Sequence, residues 1–380
     1  MVDISAEKNE KSKSSRRKSA DFWIMVIVIT LTATGIIMVF SASYAFAYNS
    51  FGDVFYYLKN QLKFALTGTL VMLAAMNFDY RHYAKLSLPL AVFSIILLFL
   101  VKIPGIGHEE NGAMRWIYLG PVNFQPSEIA KISVIMLLSL SLSKNRKNLG
   151  KFLSGFMPYL AIIAFYAVLL IWEPHMSAAI ILILVSFILL FIAGARLAHF
   201  AVIALPGIAA VTAVILKVDY MRTRVLSFLD PFKDPLGEGY QVVQSLYAIG
   251  SGGLLGKGLG KSLQKFMYLP YPHNDFIFSI IVEELGLVGA FIILLLFAVL
   301  IWRGVRVALS APDSFGRLLA FGLTCLIGIQ VILNIAVVTS SMPPTGVSLP
   351  FLSAGGSSLV VLMGSTGILL NISKHTGREA

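Results

Sequence analysis

Long apolar segments separated by short polar ones are the dominant pattern of this 380-residue chain. A helix that crosses a membrane needs about 20 consecutive apolar residues. By that measure the sequence predicts about ten membrane-spanning helices, near residues 22–45, 60–77, 85–103, 125–143, 155–171, 176–194, 199–217, 274–301, 315–338 and 350–371. The first segment is too long for the core of a signal peptide, so we expect it to be retained as a helix.

Composition indicates the same class of fold. Hydrophobic residues make up 57% of the chain and charged residues 13%, whereas a soluble domain carries about 25% charged residues. The sequence therefore predicts an all-α integral membrane protein. The net charge of +11 does not indicate a nucleic-acid partner, because the basic residues lie in short loops and tails between the apolar segments.

The distribution of Lys and Arg predicts that both termini are cytoplasmic. In that orientation more than half of the 30 Lys and Arg residues lie on the cytoplasmic side, as the positive-inside rule requires. We divide the chain into a basic, disordered cytoplasmic tail (1–20), a polytopic membrane domain (21–373) and a cytoplasmic C-terminal tail (374–380). Residues 218–273, between the seventh and eighth predicted spans, form a large extracytoplasmic loop that is long enough to have a function of its own.

Three carboxylates lie at or inside one of the apolar segments, where residues 269–286 read L-P-Y-P-H-N-D-F-I-F-S-I-I-V-E-E-L-G. Carboxylates at membrane depth are costly and therefore indicate function. Asp275 lies where a polar loop becomes an apolar helix, although a helix cap at Asn274 or Asp275 explains that acid equally well. On a continuous helix Glu283 lies near the face of Asp275, whereas Glu284 lies opposite and is expected to pack against another span.

Candidate cations stand before and within the fourth predicted span, which opens F-Q-P-S-E-I-A-K. Glu128 and Lys131 share a helix face. A structural ion pair with Lys131 directed out of the membrane and a cation that faces a polar cavity both fit this spacing. Arg115 and Trp116 combine a fixed charge with a ring suited to the membrane interface. His273 has no His or Cys partner at metal-ligand spacing, so we predict no metal site built by histidine.

Several of these motifs occur together, in the same order, in a known family. They are R-W-I-Y-L-G…F-Q-P-S-E-I-A-K, W-E-P-H-M-S, D-P-F-K-D-P-L-G-E-G-Y-Q, Y-L-P-Y-P-H-N-D-F-I-F and T-G-V-S-L-P-F-L-S-A-G-G-S-S. On these residues nearly the whole chain resembles the SEDS family of membrane proteins (FtsW, RodA and SpoVE), and it is more similar to the FtsW and SpoVE branch. The chain departs from the family's usual residues at His175, where Asp is frequent, and at Asn274, where Thr is usual.

The resemblance implies a multi-pass protein of the bacterial plasma membrane. It also implies a peptidoglycan glycosyltransferase that polymerises lipid II into β-1,4-linked strands for cell division or sporulation. A class B penicillin-binding protein, the transpeptidase, and other division or sporulation membrane proteins are the implied partners. The same resemblance points to Asp275 as the base in an inverting displacement of undecaprenyl pyrophosphate.

A reaction of this kind needs cations near the anionic leaving group, and we expect Arg115 and Lys131 to hold the pyrophosphate. The further candidates for contact with substrate are Trp116, Glu128, Glu283, His273, Lys261 and Lys265. The last two belong to the long loop, and we expect them to guide the lipid or the growing chain. A divalent cation, magnesium or manganese, that bridges pyrophosphate and a carboxylate fits these residues, but nothing in the sequence requires one.

Two other functions fit the same residues. A lipid II flippase would use Glu283 and Lys131 to line a translocation path. A non-catalytic scaffold for a class B penicillin-binding protein would make Asp275 a dispensable helix cap. A flippase moves lipid II without consuming it, and this difference separates the flippase from the glycosyltransferase.

Overall fold

A computed structural model of the chain describes residues 19–110, 113–119, 122–217, 222, 228–237 and 239–376. The α-helices are α1 (Phe22–Phe51), α2 (Tyr56–Asn77), α3 (Tyr80–Leu100), α4 (Pro126–Asn145), α5 (Met157–Trp172), α6 (Met176–Ala193), α7 (Leu197–Lys217), α8 (Tyr240–Gly252), α9 (Ile277–Leu309), α10 (Ser314–Val338) and α11 (Gly356–His375). The strands are β1 (Gly107–Glu110), β2 (Ala113–Leu119) and β3 (Val122–Phe124). Nearly all of the predicted basic tail and the last residues of the C-terminal tail lie outside the described residues.

Each of the ten predicted spans lies on one of these helices, which confirms an α-helical membrane protein. Eight helices are long and apolar enough to cross a membrane: α1, α3, α4, α5, α6, α9, α10 and α11. The other two predicted spans lie on α2 and α7, so the total of ten stays a prediction. Because helices satisfy their backbone hydrogen bonds internally, they are the expected way to cross lipid.

Two segments that the sequence treats as loops contain regular structure. Between α3 and α4, β1, β2 and β3 form an antiparallel sheet in that order. Ile117 on β2 is buried with Leu97 and Val101 at the end of α3, and this small apolar cluster fixes the sheet to the bundle. The long loop contains α8, which packs against α9. There Ser245 lies 2.6 Å from Ser279 and donates to the carbonyl oxygen of Val338 at 2.7 Å.

The two described ends of the chain lie at the same end of the helix bundle. Asp21 accepts hydrogen bonds from the first backbone N–H groups of α1 and pairs with Arg303 near the end of α9. The backbone N–H of Asp21 also donates to the hydroxyl of Ser373, in the last turn of α11, at 2.9 Å. If both termini lie on one side of the membrane, the first and last helices must have their outer ends at the same end of the bundle, as these contacts show. The assignment of that side to the cytoplasm stays a prediction.

Helix α9 is interrupted at Gly286, which has φ 70° and ψ −173°. The Gly-rich segment 250–261 lies against this break and exchanges backbone hydrogen bonds with it at 2.9–3.1 Å: Lys257 N–H to Glu283, Gly258 N–H to Glu284, Leu287 N–H to Gly253 and Val288 N–H to Leu254. A Cβ at Gly256 would lie 2.2 Å from the carbonyl oxygen of Glu284, so this close approach requires glycine. The segment therefore supplies the hydrogen bonds that a broken helix loses.

Candidate active site

A polar cavity of about 190 Å³ lies at the end of the bundle where α4, α6 and α11 begin. Five residues proposed from the sequence line it together: Arg115, Trp116, Glu128, Lys131 and Asp275. The other polar side chains in its wall are Gln125, His175, Ser177, Asn274, Gln330, Ser348 and Ser358. The cavity thus combines cations, carboxylates and neutral hydrogen-bonding groups. They come from β2, α4, α6, the turn before α9, α10 and the segment that leads into α11.

Four helix N-termini surround this cavity. Residues in or next to the first turns of α4, α6 and α11 line it, and Asp275 lies just before α9. The first N–H groups of a helix have no intrahelical partner and carry the positive end of the helix dipole. Such termini favour anions and phosphate groups. The fold alone therefore makes this cavity attractive to an anion, before any side chain is counted.

Asp275 is held by its backbone. Asn334 on α10 donates to the carbonyl oxygen of Asp275 at 2.7 Å and to that of Val347 at 2.7 Å. Ser353 donates to the carbonyl oxygen of Asn274 at 2.8 Å. Helix α9 has no side-chain N-cap hydrogen bond, so the helix-cap alternative for Asn274 or Asp275 is wrong. These contacts fix the turn and leave the Asp275 carboxylate facing the cavity.

The segment between α10 and α11 brings its backbone against this carboxylate. Gly346 has φ 73°, and a Cβ there would lie 3.3 Å from Oδ2 of Asp275. The neighbouring carbonyl of Thr345 accepts a hydrogen bond from Ser177, at the start of α6. Any side chain at Gly346 would thus be strained and would crowd Asp275. The T-G-V-S-L-P motif is explained by this approach.

Burial raises the pKa of Asp275 to about 6, and the nearby positive charge of Arg115 partly opposes that rise. The carboxylate is therefore mainly ionised at neutral pH, yet it is a stronger base than an ordinary aspartate. A general base works best when its pKa lies near the operating pH. Asp275 has the properties of such a base.

Glu128 and Lys131 form a buried ion pair at 2.9 Å, and both line the cavity. The alternative in which Lys131 is directed out of the membrane is therefore wrong. An ammonium group has three donors, so Lys131 can bind Glu128 and a ligand at the same time. The pair also fixes the position of a cation that would otherwise be flexible.

The turn between α5 and α6 holds Arg115. It contains His175, a cavity residue that was not proposed from the sequence, and Glu173, which lies near Arg115 but outside the cavity lining. Arg115 donates to the carbonyl oxygen of Pro174. Neither carboxylate oxygen of the buried Glu173 has a hydrogen-bond partner among the described residues. Burial raises the pKa of Glu173 to about 8, with the charges of Lys102 and Arg115 opposing, so its carboxyl is protonated at neutral pH. His175 lines the cavity beside it.

Residues 22–378 match a family model of the FtsW/RodA/SpoVE type, which is described as a cell cycle protein. The chain belongs to the FtsW/RodA/SpoVE family. Stage V sporulation protein E of Bacillus subtilis (strain 168) is 44% identical over 363 residues, which are 96% of this chain and 99% of that protein. A probable peptidoglycan glycosyltransferase FtsW of Geobacter sulfurreducens (strain DL-1 / KN400) is 45% identical over 353 residues, 93% of this chain and 95% of that protein.

Solved structures have the same fold as this member of the FtsW/RodA/SpoVE family. A chain of a peptidoglycan synthase complex, described as coordinating polymerization and crosslinking, matches with a TM-score of 0.79 and 30% identity. The match covers 95% of this chain and 99% of that one. The rod shape determining protein RodA of Thermus thermophilus matches with a TM-score of 0.67 and 27% identity, over 95% of this chain and 98% of that one.

Four residues that were predicted to contact substrate lie outside the cavity: Glu283, Lys265, Lys261 and His273. The expectation that Glu283 lines the same cavity as Asp275 is not met, because Glu283 binds the long loop through Lys257 at 2.7 Å. Lys265 is fully buried against Glu284 at 2.7 Å and is not free to guide a lipid. Lys261 is exposed on the loop, away from the cavity.

His273 also lies outside the cavity, in an aromatic environment. Its ring is 4.1 Å from the ring of Tyr57 and 5.5 Å from that of Phe46. Burial lowers its pKa to about 4, so the ring is neutral. Among the described residues, no group of three or more His, Cys, Asp or Glu side chains is arranged to hold a metal ion. A divalent cation brought with the substrate stays a prediction.

Proposed function

We propose that this chain is a peptidoglycan glycosyltransferase of the bacterial plasma membrane, and that the cavity around Asp275 is its active site. One observation carries the proposal: a carboxylate with a raised pKa shares a cavity with two cations and four helix N-termini. Glycosyl transfer from a pyrophosphate-linked sugar needs a base next to a site that binds an anion. The relatives named peptidoglycan glycosyltransferase support the choice of lipid II as substrate.

The reaction is an inverting displacement at the anomeric carbon of the donor. The acceptor hydroxyl gives its proton to Asp275 as its oxygen forms the new β-1,4 bond. The bond between the anomeric carbon and pyrophosphate breaks, and its electron pair leaves with undecaprenyl pyrophosphate. Arg115 and Lys131 stabilise the charge on this leaving group, and Glu128 keeps Lys131 in place. Trp116, in the same wall, offers an apolar surface to the lipid or a sugar.

A class B penicillin-binding protein is the proposed partner, since linked strands require a transpeptidase after polymerisation. The neighbour solved as part of a peptidoglycan synthase complex supports a partner of this kind. The named relatives include a sporulation protein and FtsW proteins, so we propose a role in division or sporulation, together with other membrane proteins of that process. In this account both termini are cytoplasmic and the cavity opens on the outer side.

The test is polymerisation of lipid II by the purified chain, with and without a class B penicillin-binding protein. Asp275→Asn should lower the rate by about 10³-fold, because general base catalysis contributes about 10²–10⁴-fold. The fold should be unchanged, since the backbone of the turn holds Asp275 in place. Asp53→Asn, the same change at an exposed aspartate paired with Lys59, is the matched control and should keep full activity.

Near-wild-type turnover by Asp275→Asn would rule out this residue as the base. If no strands form under any condition while lipid II moves between leaflets of liposomes, the flippase is the better account. If lipid II is neither consumed nor moved, but the penicillin-binding protein is bound, the scaffold is the better account.

A further inference from the structure

We infer that His175 is a third ligand for the pyrophosphate of the donor lipid, and that its imidazole takes up a proton when the lipid enters the cavity. The inference deepens the proposed function and rests on it. It depends on the position of the ring, on a ring nitrogen that lacks a partner and on the charges around it.

His175 is presented to the cavity from a fixed backbone. It is the N-cap residue of α6. Its N–H donates to the carbonyl oxygen of Leu170 at 2.9 Å, and its carbonyl accepts from the N–H of Ala179 at 3.2 Å. Ser177 and Ala178, in the first turn of the same helix, line the cavity beside the ring. The imidazole therefore stands next to N–H groups that have no intrahelical partner.

The ring itself has an unused hydrogen-bonding atom. The residue is only 7% exposed, and Nδ1 has no hydrogen-bond partner in the part of the chain that the structure describes. A buried polar atom without a partner destabilises the fold and needs an explanation, and for an atom beside a cavity a bound ligand is one explanation. An oxygen of a bound pyrophosphate would accept a hydrogen bond from this nitrogen. His175 can therefore supply a hydrogen bond to a ligand in the cavity.

Charged and titratable groups line the cavity together with His175. They are Arg115 on β2, Glu128 and Lys131 on α4 and Asp275 before α9. Glu173 lies in the same turn as His175 but outside the cavity lining. With Asp275 ionised and Glu173 protonated, the two cations balance the two carboxylates. Only the helix N-termini and neutral donors then favour an anion. A pyrophosphate diester adds two negative charges, and a proton on His175 would offset one of them.

Before the lipid binds, burial and the charges of Arg115 and Lys131 determine the protonation state of the His175 ring. Burial, and then the charges of Arg115 and Lys131, lower the pKa of His175 to about 3, so the ring is neutral without ligand. A dianion bound against the same two cations reverses the sign of the field at the ring and raises that pKa. A protonated imidazole donates from both nitrogens, and its hydrogen bonds to an anion are stronger than those of a neutral ring.

The test counts protons during binding without turnover. In the Asp275→Asn variant, a short-chain lipid II analogue is titrated by calorimetry in buffers of different ionisation enthalpy, which gives the protons taken up per bound lipid. The pyrophosphate diester does not titrate between roughly pH 7 and roughly pH 6, and Glu173, with a pKa of about 8, is nearly all protonated there. We expect uptake that grows as the pH falls across this range, in which histidine titrates near neutrality.

Two substitutions assign that uptake. His175→Asn and His175→Gln, each added to Asp275→Asn, place an amide near Nδ1 or near Nε2 but cannot take up a proton. Both should abolish the uptake and weaken binding at low pH by about tenfold or more. Uptake that persists without His175 would overturn the inference. So would the absence of any uptake in Asp275→Asn alone, a result that does not depend on how the His175 variants fold.

The same experiment separates this inference from the proposed function. If the wild type polymerises lipid II but no His175-dependent uptake occurs, the inference fails and the function stands. If the wild type makes no strands while uptake depends on His175, the function fails and the pyrophosphate ligand stands.

Discussion

The cavity and the contact between the long loop and α9 contain similar residues but differ in how their polar atoms are paired. At the loop contact, Glu283 accepts from Lys257, from the hydroxyl of Ser262 and from backbone N–H groups of the loop. Glu284 accepts from Lys265 and from Ser41 on α1. At the loop contact both acids are thus fully bonded, although the neutral amide oxygen of Gln264 lacks a partner among the described residues. In the cavity wall His175 and Gln330 each keep such an atom.

This difference separates structural from functional buried charges. A buried ion pair stabilises a fold only when additional hydrogen bonds satisfy both partners, and the loop contact meets that condition. Incomplete polar groups in a cavity are destabilising, and a ligand that binds in the cavity is one way to complete them. The burial of an acid within the membrane does not by itself assign a function to that acid. The groups to which the acid is hydrogen-bonded show whether its role is structural.

The largest effect on stability is expected at the loop contact. Lys265→Met leaves the fully buried Glu284 without its cation, and loss of one partner of a buried ion pair costs about 3–5 kcal/mol. We expect the free energy of unfolding to fall by that amount, measured by denaturant unfolding in detergent. Lys261→Met, an exposed lysine of the same loop, is the matched control and should change stability by less than about 0.5 kcal/mol.

Adding Glu284→Gln to Lys265→Met removes the unpaired charge and should restore part of the stability. If Lys265→Met leaves stability unchanged but stops polymerisation, the loop contact belongs to the active site, and the contrast between the two regions is wrong.

The second prediction concerns the loss of activity when a cation of the cavity is removed. Arg115→Ala should lower kcat/KM for lipid II by about 10²-fold, the size expected when one group that stabilises an anionic leaving group is removed. The midpoint of thermal unfolding should change little, because Arg115 is partly exposed and its hydrogen bond to Pro174 is made to a carbonyl oxygen. Arg81→Ala, at an exposed arginine of α3, is the control. A large loss of thermal stability with unchanged kcat/KM would assign Arg115 a structural role.

The smallest effect is the pH dependence of the rate. Asp275 acts only when it is deprotonated, and its pKa is raised to about 6. The rate should therefore be nearly constant above about pH 7 and fall by about tenfold per pH unit below about pH 5. A profile of kcat against pH, measured with saturating lipid II, checks this, because kcat does not include the change in lipid binding that protonation of His175 would cause. A profile that stays flat down to about pH 4, the range of an ordinary aspartate, would contradict a buried base.

The sequence predicted the helices better than the segments between them. Apolar segments as long as α1 and α6 have one stable solution in lipid. The sheet was missed because its strands are short, and the burial of Ile117 against Val101 is a tertiary contact that no local pattern reveals. The helix α8 was missed for a similar reason, since it lies in a Gly-rich and Pro-rich loop and packs against α9.

At the site, Asp275, Arg115 and Lys131 could be predicted from the sequence because charged residues at membrane depth are rare. The predicted position of Glu283 was wrong, because the projection from Asp275 assumed one continuous helix. Asp275 lies in a turn before α9, so 100° per residue does not apply between the two. The expectation that Glu284 packs against another span is confirmed by Ser41 on α1, at 2.7 and 2.8 Å.

Glu173 was missed although it gives the same kind of signal as Asp275, an acid at the end of an apolar segment. His175 gave only a weak signal, because a histidine at a helix start has many explanations. The pairing of their atoms, and therefore their role, depends on contacts between parts of the chain that are far apart in sequence.

The most direct test of the account compares Asp275→Asn with Lys265→Met in one set of preparations. Lipid II polymerisation per folded molecule and the midpoint of thermal unfolding are measured for both. We expect Asp275→Asn to lose the rate and keep the midpoint, whereas Lys265→Met should lower the midpoint and keep the rate per folded molecule. The reverse pattern, or loss of both properties in both variants, would contradict the assignment of chemistry to the cavity and of stability to the loop contact.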